Sequence, residues 1–109
     1  MNRFRFKNQY DPVFLFLQNN DPGNYSSAVP LYYRELAVIY HKLSNPARRD
    51  VCLEASMSAI PRTQESANFK LIEFLGASET YSEIGNPDEA KSLLADVIRQ
   101  AETLTQALR

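Results

Sequence analysis

Tyr40-His41-Lys42-Leu43-Ser44-Asn45-Pro46 and Tyr81-Ser82-Glu83-Ile84-Gly85-Asn86-Pro87 stand forty-one positions apart in a chain of 109 residues. Each stretch reads as the end of one helix and the start of the next. An Asn at the N-cap accepts a hydrogen bond from a free amide of the first turn, and a Pro at the first helical position leaves no donor unpaired. Asp88 and Glu89 then follow at the positive end of the helix dipole. Asp11-Pro12 has the same cap-plus-proline form and predicts a shorter helix ending near Asn20.

Outward from the second stretch, Ala90, Leu93, Leu94, Val97, Ile98, Ala101 and Leu104 recur at three- and four-residue steps. They form one apolar stripe, with Lys91, Asp96, Arg99 and Glu102 largely on the other faces. The helix opened by Asn45 runs to about Ile60, where Pro61 stops it. Two further apolar helices precede the turns, over about 27–43 and about 64–84. Arg3-Phe4-Arg5-Phe6-Lys7 alternates with period two but has no partner strand, and Asp21-Pro22-Gly23-Asn24 reads as a turn or loop. The fold class is all-α with about five helices. Residues 1–11 form an N-terminal arm, the one basic and aromatic cluster, and 12–109 form one domain.

The register of forty-one holds beyond the turns. Tyr33 falls on Phe74, Leu36 on Ala77, Ala37 on Ser78 and Tyr40 on Tyr81; in the second helices Leu53 falls on Leu94, Met57 on Ile98 and Ile60 on Ala101. An aromatic residue, then a large and a small residue three and four positions later, then a Tyr and a turn Gly or Ser, resembles the tetratricopeptide repeat over roughly residues 30–108. Arg49 departs from the pattern, standing where Ala90 supplies the small residue in the second copy. The spacing also exceeds the 34 residues usual for that repeat, which calls for longer helices or a longer link.

The resemblance implies a right-handed stack of helical hairpins, with repeats over about 30–61 and 71–108. Two repeats are fewer than a solenoid usually needs, so either the N-terminal helix caps the stack or some apolar surface remains for a partner. It also implies a groove lined by the first helix of each hairpin that accepts a peptide or partner helix. Mapped onto this chain, the groove residues are Leu31, Arg34, Val38, His41 and Lys42 from the first copy and Ile72, Leu75, Glu79, Ser82 and Glu83 from the second. Such a groove is apolar in the middle, basic at one end and acidic at the other. Arg34 and Lys42 alone are too few cations to clamp a C-terminal carboxylate, so an amphipathic or extended peptide is the expected ligand.

Composition narrows the function classes. With 12 Lys+Arg against 13 Asp+Glu and a formal charge of -1, the chain has no general attraction for nucleic acid. At 44% hydrophobic it is too apolar for an obligate disordered chain. Val13 to Leu17 is too short an apolar run for a membrane span, and the lone cysteine, Cys52, cannot form an internal disulfide. A cytoplasmic location is therefore expected. His41 is the sole histidine, and with Cys52 it supplies too few ligands for zinc. Cys52 lies among apolar positions, as buried thiols do. The carboxylates Glu35, Glu54, Glu73, Glu79 and Glu83 are scattered over helices and read as solvated faces. Gly76, inside a helix at a cost of about 1 kcal/mol relative to Ala, suggests close helix packing. No catalytic residue, metal or cofactor is expected. The expected function is protein–protein interaction, as an adaptor, assembly factor or chaperone-like module. The alternatives are a peptide- or effector-responsive regulator and a self-associating structural oligomer.

Overall fold

A turn that both closes one helix and opens the next requires backbone bonds of two kinds, and both turns contain them. In the computed structural model, which describes residues 11–19, 26 and 28–107, the Asn45 amide donates to the Tyr40 carbonyl at 2.9 Å and the Ser44 amide to the His41 carbonyl at 3.1 Å. The second turn repeats this: Asn86 donates to the Tyr81 carbonyl at 2.9 Å and Gly85 to the Ser82 carbonyl at 3.2 Å. This pair of bonds satisfies carbonyls that a helix end leaves free, and it forces a left-handed residue just past the end. Ser44 takes φ 58° and Gly85 φ 83°. The same asparagines then cap the following helices, Asn45 Oδ1 accepting from the Arg48 amide at 3.1 Å and Asn86 Oδ1 from the Glu89 amide at 3.3 Å.

Five α-helices result among the described residues: α1 (Asp11–Asn19), α2 (Val29–Lys42), α3 (Pro46–Ala59), α4 (Ala67–Glu83) and α5 (Pro87–Ala107). No strand is present among them. Helices α2 and α3 form one hairpin and α4 and α5 a second, with α4 packed beside both α2 and α3. Pro61 ends α3 in a 3-10 turn, Ile60–Arg62. The Thr63 hydroxyl donates to the Ile60 carbonyl at 2.9 Å. Helix α4 begins three residues later than periodicity predicts, because Ser66 Oγ accepts from the Phe69 amide at 3.2 Å and caps it there. This non-helical link accounts for part of the excess repeat length. The arm at 1–10 and the loop at 21–24 lie outside the described residues.

One core joins these elements. Tyr33, Leu36, Ala37 and Tyr40 of α2 meet Cys52 and Leu53 of α3, with Phe14 from α1 on one side and Ile84 from the second turn on the other. The Phe14 ring stands edge-on to Tyr40, centroids 6.0 Å apart, while the Arg48 guanidinium lies 4.5 Å over its face. Burial of this one ring is worth about 2–3 kcal/mol, enough to hold a nine-residue helix that is marginal alone. Two buried hydroxyls are satisfied in parallel fashion: Ser56 donates to the Pro30 carbonyl and Ser78 to the Ala90 carbonyl, each at 2.8 Å across its hairpin. Arg49, the departure from the repeat pattern, does not wedge the first hairpin apart. Its guanidinium lies at the edge, 2.9 Å from Asp50 and 3.2 Å from His41 Nδ1.

The equivalent tyrosines both face back along the stack but differ in seal. Tyr40 is fully buried and donates to Asp11 Oδ1 at 2.7 Å. Tyr81 is half-buried toward α3, near Leu53 and Met57. The stripe on α5 also divides. Ala90, Leu93 and Val97 are buried, whereas Leu94 and Ile98 are 40% and 50% exposed. A stack only 18 Å thick in its shortest dimension has room for one buried face per helix.

The turns and the buried tyrosine give two sets of expected outcomes. Ser44→Gly removes the left-handed strain at a non-glycine residue and is expected to raise stability by about 0.5–1 kcal/mol in urea unfolding. Gly85→Ala, which meets no neighbour but keeps φ 83°, is expected to lower it by about 1 kcal/mol. The second concerns alkaline pH. Burial, followed by the Asp11 carboxylate, pushes the Tyr40 hydroxyl up to about 12 from its ordinary 10. A raised value in the folded chain means this contribution is complete below pH 10 and is lost as pH climbs toward 12. Tyr40→Phe is expected to flatten the fall in melting temperature across that window.

Candidate partner-binding cleft

The positions along α2 that face α4 recur as i, i+3, i+4, i+7 and i+8, namely Leu31, Arg34, Glu35, Val38 and Ile39. Across from them α4 presents Gly76, Glu79, Thr80 and Glu83. Between the two helices lies an open cleft of about 440 Å³. Its floor is apolar at Leu31, Val38 and Ile39, and its rim carries the carboxylates of Glu35, Glu79 and Glu83.

One specific ion pair crosses from α2 to α4. Arg34 reaches across, its Nη1 2.5 Å from Glu73 Oε2 and 3.0 Å from the Glu73 carbonyl. The two side chains are only 13% and 12% exposed. Charged hydrogen bonds so shielded are worth about 1.5–3 kcal/mol. The guanidinium occupies the space beside Gly76, where a Cβ would lie 2.9–3.0 Å from its carbon and nitrogens. The helical glycine therefore makes a slot for Arg34. Thr80 at the cleft wall is self-satisfied, donating to the Gly76 carbonyl at 3.0 Å.

Five of the ten groove residues expected from the repeat pattern line this cleft: Leu31, Arg34, Val38, Glu79 and Glu83. The other five do not. His41 and Lys42 are exposed at the last turn of α2, and Ser82 is exposed on α4. Ile72 and Leu75 are 66% and 39% exposed on α4, outside the cleft. Helix α4 is turned so that 76 and 80 face α2 in place of 75 and 82, with Arg34 seated beside Gly76. Glu35, Ile39, Gly76 and Thr80 complete the lining. The helical period starting at Leu31 contains Glu35 and Ile39; the α4 pair depends on the rotation. The basic end also changes, because the one cation in the cleft is bound to Glu73. The cleft is acidic.

Other hollows flank the hairpins, two of them larger than the cleft. A polar one of about 770 Å³ holds Tyr81 among Asp50, Glu54 and Glu89. Burial first, then Glu89, Glu54 and Asp50, raise the Tyr81 hydroxyl above its usual range. A more apolar one of about 450 Å³, at the far end of α4 and α5, is lined by Pro61, Phe74 and Leu104. Cys52 is fully buried, and burial pushes its thiol up to about 12, only partly opposed by Arg48. His41 lies on the surface with Nδ1 at Arg49. No group of three or more His, Cys, Asp or Glu suited to a metal occurs among the described residues. No described helix is long and apolar enough to cross a membrane.

Comparison with protein-family models, curated proteins and solved structures returns no match. The likeness to a helical repeat thus rests on the chain's own internal register and paired helices.

The slot makes a measurable coupling. A mid-helix Gly→Ala change ordinarily stabilises by about 0.5–1 kcal/mol. Gly76→Ala is expected to deliver that gain in an Arg34→Ala background and not in the native chain, where it displaces the guanidinium from Glu73. A double-mutant cycle by urea unfolding reads the difference; equal effects in both backgrounds would contradict the slot.

Proposed function

We propose that the two hairpins are tetratricopeptide-type repeats and that the chain is a protein-interaction module, an adaptor or assembly factor without chemistry of its own. The observation that carries this reading is the α2–α4 cleft, an apolar floor with three rim carboxylates and its single cation already engaged. Its complement is a helical or extended segment of a partner protein that presents apolar side chains flanked by Lys or Arg. Each Leu-sized side chain placed against Leu31, Val38 or Ile39 contributes about 1.5–3 kcal/mol. Ordering the segment offsets much of that gain, which sets affinity in the micromolar range. Glu35, Glu79 and Glu83 select against acidic segments and accelerate encounter with basic ones. A shared location of the pairing elements supports the repeat assignment: in both copies the helix-closing bonds and the Asn caps recur at the same offset.

Fluorescence anisotropy with a labelled amphipathic peptide of Leu and Lys, about 18 residues long, tests it. Binding that weakens with salt is expected, with a loss of roughly tenfold or more in the Glu79→Lys, Glu83→Lys double variant. A Leu and Glu peptide of the same length is expected to bind far more weakly. Equal binding of both peptides, or no response to the double variant, contradicts the proposal.

A further inference from the structure

The register of forty-one residues assigns a role to a surface that the cleft does not use. The first hairpin receives the second through Arg34, which grips α4, and through Leu53 and Met57, which flank the hollow holding Tyr81. Their equivalents in the second hairpin are Leu75, Leu94 and Ile98. Every one is apolar, and they are 39%, 40% and 50% exposed. The second hairpin therefore ends in a receiving face with nothing seated on it among the described residues.

Charge along α5 indicates what covers that face. Residues Lys91 and Glu102 are eleven positions apart, so at 100° per residue they lie within about 20° of each other around the helix. Leu94, Ala95 and Ile98 fall between them along the same side. A stripe with a cation at one end, a carboxylate at the other and apolar residues between is complementary to itself when reversed. We propose that α5 packs antiparallel against α5 of a second copy of this chain. The two-fold axis crosses the helix between Asp96 and Val97, so Lys91 of each copy meets Glu102 of the other. Leu94 and Ile98 of the two copies interleave at the centre, and Ala95 lets the helices approach. A parallel pairing sets Lys91 against Lys91 and Glu102 against Glu102. Asp96 and Arg99 pair with each other within α5 and leave no like-charge conflict in the antiparallel arrangement. The proposal does not depend on what the cleft binds.

Sedimentation velocity of the full chain, from about 1 to 200 µM, is expected to show a shift from monomer to dimer, as a face of this size associates weakly. Ile98→Asp, at an exposed position, is expected to weaken the dimer by at least about tenfold with unchanged circular dichroism. K91E and E102K are each expected to weaken it, whereas an equimolar mixture of the two variants forms a heterodimer in which opposite charges meet again at both ends. Three results overturn the proposal: a wild-type chain that stays monomeric at the highest concentration, an Ile98→Asp variant that associates like the wild type, or a mixture that associates no better than either variant alone. None of these substitutions alters a cleft-lining residue, so peptide binding reports separately on the cleft.

Discussion

The asparagine at the bend of each hairpin works at two helix ends at once. Its amide closes the outgoing helix by reaching back to a tyrosine carbonyl, and its side chain caps the incoming one. The helix direction is thereby fixed by local bonds over seven residues. Pro46 and Pro87 add a fixed φ at the first position of the new helix. The residue between the tyrosine-bonded amide and the helix end must then be left-handed. The second copy meets this with glycine and the first with serine, at some strain. The rest of the architecture depends on this bend: it brings α2 onto α3 and α4 onto α5 in the same register.

The hairpins themselves are joined by little. Ile84 enters the core of the first hairpin, Tyr81 leans on α3, and Arg34 locks into the slot at Gly76. The last contact is the most specific, since a guanidinium held by both a carboxylate and a carbonyl fixes rotation as well as distance. It also determines the character of the cleft. By taking Arg34 out of play it leaves Glu35, Glu79 and Glu83 unopposed at the rim, over an apolar floor.

The two proposed surfaces occupy different parts of the stack. The cleft lies between the first helices of the hairpins, and the self-pairing face lies on the outer side of α5. A dimer joined through α5 carries two acidic clefts in one particle, and a partner with two basic apolar segments then gains from effective concentration without any new contact. Both surfaces follow from a stack too thin to bury two sides of a helix.

The helices, their order and both bends were legible from residues 40–46 and 81–87 and from the apolar periods around them, because caps, prolines and side-chain periodicity act within a few residues. Ser66 as the start of α4 is a local signal of the same kind that periodicity alone overran. The cleft was legible by half. Leu31, Arg34, Val38, Glu79 and Glu83 follow from the repeat pattern, but Gly76 and Thr80 in place of Leu75 and Ser82 depend on how far α4 is turned, which packing against distant parts of the chain decides. The apolar stripe of α5 shows the same division. Its existence is a property of the sequence, whereas the exposure of Leu94 and Ile98 beside buried Leu93 and Val97 is set by tertiary structure, because only packing determines which side of a helix has a neighbour.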